Sequence, residues 1–518
     1  MRRLLIRKNI SQLVKEANDP NIEGEHGGKG LQRHLTAFSI TMLGIGAIIG
    51  AGIFSLTGVA AANYAGPGII YSFILGGVLC AFAGLCYAEM AAMVPVSGSA
   101  YAYSYATMGE FIAWIIGWDL ILEYAFGAVT VSASWSGYLV SLLTKTFGLH
   151  FPDFLMRLTK GPWEYVTLTD GSQINGFWNL PATLIALFVM CVLYRGIKES
   201  TKMNNVIVFV KVAIIIAFII LGWSVIDSAN WIADSSFTGF RALVPPEGMS
   251  IRNGEEFLSY GWNGVLTGAG VVFFAYIGFD ALSTTAQEAK NPQRDLPIGM
   301  LMSLIVCTVI YILMALVMTG VVPYKLLGVA DPVAVGVDAI VSKHGWASGI
   351  GSTISGIVKF GALSGLTSVI LVMMLAQTRI FYSMGKDGLL PWFSHLHPKF
   401  STPTYATIVT GVFVGLCGGV MPMSLVGELV SIGTLLAFVL VCAGVFLLRQ
   451  TQPEVHRPFK TPLYWLVAPL GVVSCLWVMS GLPRDTWYRL IIWLLIGFVI
   501  YFAYGIKNSK LQKKTVIK

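Results

Sequence analysis

Gly44-Ile-Gly-Ala-Ile-Ile-Gly-Ala-Gly-Ile-Phe54 puts four glycines into nine residues in the middle of an apolar run. A glycine in a helix interior costs about 0.5–1 kcal/mol relative to alanine, so four together make a helix easy to interrupt. What an interruption means depends on the solvent around it. Charged residues make up 12% of the 518 residues and hydrophobic ones 55%, whereas ordinary soluble domains are about 25% charged. So few charges cannot cover the water-facing surface of a chain this long. Its solvent is lipid, where backbone N–H and C=O groups find no outside partner and spanning segments are helices.

Runs near twenty apolar residues suit that role. Twelve are read, at about 35–62, 67–92, 109–143, 178–197, 201–225, 259–288, 297–323, 353–383, 402–420, 426–448, 463–481 and 487–506. Residues 1–34 precede them; Arg2, Arg3, Arg7 and Lys8 lead into no short apolar run with a cleavage site, so this stretch is expected to be a cytoplasmic tail and not a signal peptide. Basic residues orient a membrane chain. With the N-terminus inside, the two tails and the loops after even-numbered spans hold 23 of the 34 Lys and Arg, against eight in the outer loops. Both ends, including the tail at 507–518, are expected in the cytoplasm. Topology and contact with anionic lipid account for the basic charge, and no nucleic-acid partner is implied.

Span six carries its own soft stretch, Gly268-Ala-Gly270 followed by Phe273-Phe-Ala-Tyr-Ile-Gly278. Spans one and six head two successive groups of five, at 35–225 and 259–448, with two further spans in 463–506. Paired soft helices at matching places in two halves point to a transporter built on an inverted repeat. The second half of an interrupted helix opens with free N–H groups and a positive dipole end, which suit a carboxylate; free carbonyls at the end of a first half suit an ammonium. The opposing reading is that small residues only let helices pack closely.

Ionisable residues inside a membrane are expensive and mark function by default. Lys211 stands about ten residues, or roughly 15 Å, into span five, and burial penalises its charged form. It is the expected proton-coupling residue, with the broken backbone of span one as its partner. Glu123 lies about fourteen residues, roughly mid-membrane, into span three, where it can line a pocket, share protons or sit as a core carboxyl. Asp119 shares its face one turn earlier and reads as helix support. Asp280 follows the soft stretch of span six as a cap. Glu89 and Glu288 read as gate or topology residues at inner helix ends, and Lys359 as a lysine that snorkels outward.

Other signals fall away. Gly44-x-Gly46 with Gly50 follows no strand and spaces its third glycine wrongly for a dinucleotide fold, and Gly27-Gly-Lys-Gly30 lacks the rest of a phosphate loop. The seven cysteines have no CxxC spacing, and His395 and His397 have no carboxylate at ligand spacing. No metal, cofactor or catalytic triad is indicated, which argues against an enzyme. A channel would need a filter-like repeat.

Four motifs then stand out: Gly-Ala-Gly-Ile-Phe (50–54), Val-Pro-Val-Ser-Gly-Ser-Ala-Tyr-Ala-Tyr (94–103), Glu-Ala-Lys-Asn-Pro-Gln-Arg-Asp-Leu-Pro (288–297) and Gly-Lys-Asp-Gly-Leu-Leu-Pro (385–391). They resemble the amino acid–polyamine–organocation superfamily and, within it, the bacterial form of the cationic amino acid transporter family, over residues 30 to 506. The resemblance implies an all-α membrane protein of ten core helices in a five-plus-five inverted repeat, with helices one and six interrupted and two peripheral helices. It implies alternating access and uptake of α-amino acids at the plasma membrane, commonly with protons. Carried over by position, Gly50, Ala51 and Gly52 would hold the substrate carboxylate, and the carbonyls of Phe274, Ala275 and Ile277 the ammonium. Ile49 and Tyr276 fall in the same two stretches and are counted with the site. Lys211 matches a lysine that takes the place of sodium in other members. In this resemblance Met373 replaces a small residue of cation-selective animal members and shields Glu123, which implies small neutral substrates such as alanine. Cationic amino acids, exchange without net proton movement and a transporter-like nutrient sensor are the alternatives.

Overall fold

Segments that lipid would force into helix are helical in the computed structural model, which describes residues 6–8, 35–94, 98–168, 171–196, 201–232, 239–252, 255–346, 348–400 and 402–516. Eight stretches among these are long and apolar enough to cross a membrane, and the longest, Ala37–Met93, runs through both of the first two spans read from the sequence. Three shorter apolar helices, Leu180–Arg195, Thr404–Val420 and Tyr464–Ser480, complete the set. Most of the 1–34 tail, the Pro95, Val96 and Ser97 part of one motif, and the side chain of Glu288 lie outside the described residues.

Two short hairpins qualify the all-helical expectation. β1 (Tyr165–Thr167) pairs antiparallel with β2 (Gln173–Asn175), and β3 (Gly248–Arg252) with β4 (Glu255–Ser259). Both lie in connections between the apolar helices, where water can satisfy the sheet edges that lipid could not.

Three pairs of helices separated by five places in the chain pack together. Ile69–Met93 lies on Pro292–Val321, Glu110–Ser141 on Ser348–Lys386, and Leu180–Arg195 on Thr404–Val420. The middle of the first span also meets the middle of the sixth. Described residues near both ends of the chain, Lys8 and Ser509–Lys510, meet at one end of the bundle. Lys8 Nζ lies 2.5 Å from Asp387 Oδ1, the backbone N–H of Lys510 donates to Asp387 O at 3.0 Å, and Ser509 Oγ donates to Glu110 at 2.5 Å.

Glu89, a buried charge near a helix end, is paired. Glu89 receives Arg449 through two bonds of 2.8 Å and the backbone N–H of Thr461 at 2.8 Å, so it ties three segments together. Lys359 departs from expectation. It is fully buried and lies 3.3 Å from Asp338 Oδ1 on helix Pro332–His344, held by a carboxylate and not reaching outward for water.

Candidate functional site

The first span leaves the α-helix at Ile49, whose ψ of 94° takes it into extended backbone. It resumes with Phe54 N–H donating to Gly50 O at 3.2 Å and a π-turn over Gly52–Leu56. The N–H groups ahead of Phe54 form the open start of a helix. The sixth span ends its α-helix at Val272, tightens over Phe273–Tyr276, and turns extended at Ile277. Gly278 follows with φ +114°, a conformation that favours glycine.

The two interruptions touch. A Cβ on Gly52 would fall 2.2 Å from Ala275 Cα, and one on Gly278 would fall 3.0 Å from the carbonyl of Ala47. Not every glycine of the soft stretches belongs to a break. Gly44 is pressed against Ser303 and Leu282, Gly46 against Val208, Gly268 against Ser72 and Ala65, and Gly270 against Leu482. For these four the close-packing reading holds.

Lys211, on helix Thr201–Trp223, is fully buried and donates to Gly46 O at 2.9 Å and to Ile49 O at 3.4 Å. Tyr311 was not singled out from the sequence. Its hydroxyl oxygen lies 2.8 Å from Ile48 O and 2.9 Å from Ala275 O, bridging the two interruptions. The only hint in sequence is a phenol in an apolar helix, since a buried tyrosine hydroxyl usually has a partner.

At the sixth-span break, Asp280 accepts the Gly278 N–H at 3.3 Å and the hydroxyl of Tyr124. Phe274 O already receives Ile277 N–H at 3.2 Å. A carbonyl has two lone pairs, so it and Ala275 O can still accept another donor. The Tyr276 side chain points away, its hydroxyl donating to Phe73 O at 2.8 Å.

Helix Ser348–Lys386 lines the site with one stripe at four-residue spacing. A Cβ on Gly365 would meet Lys211 Cε at 3.0 Å, Val369 lies 3.1 Å from a Cβ on Gly50, and Met373 Sδ lies 2.9 Å from a Cβ on Gly127. Gly127 is one turn from Glu123 on helix Glu110–Ser141. Glu123 and Asp119 are fully buried, and none of their four carboxyl oxygens makes a hydrogen bond of normal geometry among the described residues, although Asp280 and Thr434 lie beside Glu123. Every residue read as substrate-binding is under 5% exposed or classed as buried. The arrangement brings helix ends of both signs together in a buried, mostly apolar surround.

Beyond the site, residues 324–344 cover one end. Ala330 O accepts Ser55 Oγ at 2.5 Å, and a Cβ on Gly137 would meet Ala330 Cβ at 2.8 Å. Burial pushes the Asp331 carboxyl above its ordinary range, with Ser141, Lys145, Lys359 and Lys160 pulling it back.

A sequence model described as amino acid permease matches residues 35–502. The chain belongs to the amino acid permease family. The permease is 42% identical over 496 residues to the branched-chain amino acid permease of Bacillus subtilis (strain 168), covering 95% of this chain and 97% of the relative. It is 40% identical over 510 residues to the methylthioribose transporter of the same organism, covering 97% and 100%. A vacuolar cationic amino acid transporter of Arabidopsis thaliana is 34% identical over 455 residues, covering 88% and 68%. The permease is therefore a multi-pass membrane protein of a transporter family and not an enzyme, and the kinship read from the four motifs holds at the level of family.

Proposed function

We propose that the permease imports L-amino acids by alternating access, coupled to protons, with both termini in the cytoplasm and the plasma (in bacteria, inner) membrane as its site. The observation that carries this reading is the contact between two interrupted helices, with Gly52 packed on Ala275 and Gly278 on Ala47; in this reading Gly50, Ala51 and Gly52 take the substrate carboxylate and the carbonyls of Phe274, Ala275 and Ile277 its ammonium. An open helix start suits the carboxylate of an α-amino acid, and carbonyls with spare lone pairs suit its ammonium. Twelve crossings and a five-plus-five inverted repeat, 35–225 and 259–448, fit the packing of helices five places apart, with 463–506 peripheral. Lys211 is the coupling residue in this scheme: while charged it ties down the end of the first half-helix, and loss of its proton weakens its hold on Gly46 O and Ile49 O by removing the charge that strengthens both bonds. Glu123 is the second proton-sharing candidate.

For the substrate we favour small neutral amino acids, because Met373 fills the space over Gly127, one turn from Glu123. The 42% identity to a permease named for branched-chain amino acids favours a second reading, in which valine, leucine and isoleucine are the substrates. Competition by all common amino acids against labelled alanine and labelled leucine in proteoliposomes, with and without an inward proton gradient, tests both. Accumulation that ignores the gradient would sink proton coupling in favour of exchange, strong arginine uptake would restore the cationic reading, and binding without flux would indicate a sensor.

A further inference from the structure

The site leaves one polar side chain unexplained. Gln377 is fully buried, and neither its amide oxygen nor its amide nitrogen has a hydrogen-bond partner among the described residues. An unsatisfied buried polar group costs about 1–3 kcal/mol, and buried amides without partners are rare enough in native proteins to need a reason.

Its position follows from the packing of two helices. Met373 Sδ lies 2.9 Å from a Cβ on Gly127, Met384 Sδ lies 2.9 Å from a Cβ on Gly117, and Trp135 Nε1 donates to Thr367 Oγ1 at 3.0 Å. These three contacts make helices Glu110–Ser141 and Ser348–Lys386 antiparallel and set their register. One turn along from Met373 is Gln377, and one turn along from Gly127 in the matching direction is Glu123. Gln377 therefore falls opposite Glu123 and Tyr124, on the side of its helix that also carries Met373 and Met384. Tyr124 in turn reaches Asp280, just past the second break. Val369 beside Gly50, then Met373 and Gln377 follow at four-residue spacing on this helix, so one face of it runs from the first break toward the level of Glu123.

Resting on the functional reading above, we infer that Gln377 is a specificity-determining residue that hydrogen-bonds uncharged polar side chains of the substrate. Its amide offers both a donor and an acceptor, so it matches a hydroxyl or a carboxamide. Apolar side chains gain nothing from it. Serine and asparagine should therefore compete better than their size alone implies.

The test uses the full-length permease in proteoliposomes, with labelled alanine or labelled leucine as the reporter. Serine, asparagine and glutamine are compared with alanine and valine as competitors, in unmodified protein and in Gln377→Met, which keeps the volume and removes the amide. The expected result is an about tenfold loss of competition by the polar amino acids relative to alanine and valine, the scale of one lost hydrogen bond in a buried site. Gln377→Glu, which keeps an acceptor, should recover part of it and guards against misfolding of the first variant. A uniform change across all competitors, or none, would assign Gln377 a packing role and overturn the inference while leaving amino-acid transport standing. Absence of uptake of any amino acid by the unmodified protein would remove both.

Discussion

At residues 49–51 the chain leaves a helix whose last carbonyls need donors, and neighbouring helices supply them: Lys211 to Gly46 O and Ile49 O, Tyr311 to Ile48 O. At residues 277–279 the need is reversed, and an acceptor, Asp280, meets the Gly278 N–H. The ends of a helix carry partial charges of opposite sign, and each break recruits a side chain of the complementary sign. Tyr311 links the two, because its single proton lies within bonding distance of Ile48 O and Ala275 O but can serve only one at a time. The difference teaches how such a site can work. Each break is held by a group that can exchange its bond for water, a proton or a ligand, so loosening one end alters what the other can hold.

The most severe way to break this pairing is Gly52→Val. The first added carbon already overlaps the backbone of Ala275, so the two breaks must part. Substrate binding should fall about 100-fold or more, along with thermal stability in detergent. Unchanged affinity by direct binding would mean that the two breaks do not form one site.

Lys211→Met tests the donor side alone. It leaves two carbonyls without their cation, and proton-driven accumulation should drop about tenfold or more, while equilibrium binding persists. Gradient-driven uptake that survives the change would move the coupling role to Glu123.

A sharper and smaller test asks what lies beyond both breaks. Met373→Ser removes the thioether over Gly127 and should raise competition by arginine about tenfold, because an unpaired cation in an apolar pocket is costly until it reaches a carboxylate. Adding Glu123→Gln should cancel that gain. If arginine competes equally well in both variants, Glu123 is not its partner.

The smallest effect is expected where a half-buried acid has no break to serve. Burial raises Asp331 above its ordinary value, so the folded state keeps this proton over a range where the unfolded chain has lost it. The stability contribution is largest at low pH and declines as pH rises through the folded value. In detergent, melting temperature should fall by a few degrees more from about pH 4 to pH 7 in the unmodified permease than in Asp331→Asn. The nearby Lys145, Lys160 and Lys359 oppose the shift, which keeps it small. Parallel profiles would show that Asp331 does not contribute.

Much of this was legible along the chain, but unevenly. The weak points in spans one and six and the cation in span five could be read because backbone cost and membrane depth are local quantities. The division of labour among glycines could not. Gly46 is a packing residue because Val208 presses on it, and Gly50 lies at the break beside Val369; both look alike in sequence. Lys359 was read as snorkelling because Asp338, 21 residues away, gives no sign of folding back onto it. Tyr311 and Gln377 were passed over for the same reason, since a single polar group in an apolar helix does not name its partner.

By itself, then, the sequence determined that lipid is the solvent, that the backbone must be helical there, and where those helices are weak. Apolar transfer and glycine cost are summed residue by residue, so order along the chain is enough to read them. The tertiary structure alone decided which carbonyls Lys211 serves, that Tyr311 spans two breaks, that Tyr276 faces Phe73, and that Met373 covers Gly127. Those outcomes depend on hydrogen bonds and contacts that fade within an ångström or two of their best distance, and such distances between remote segments exist only once the helices have packed.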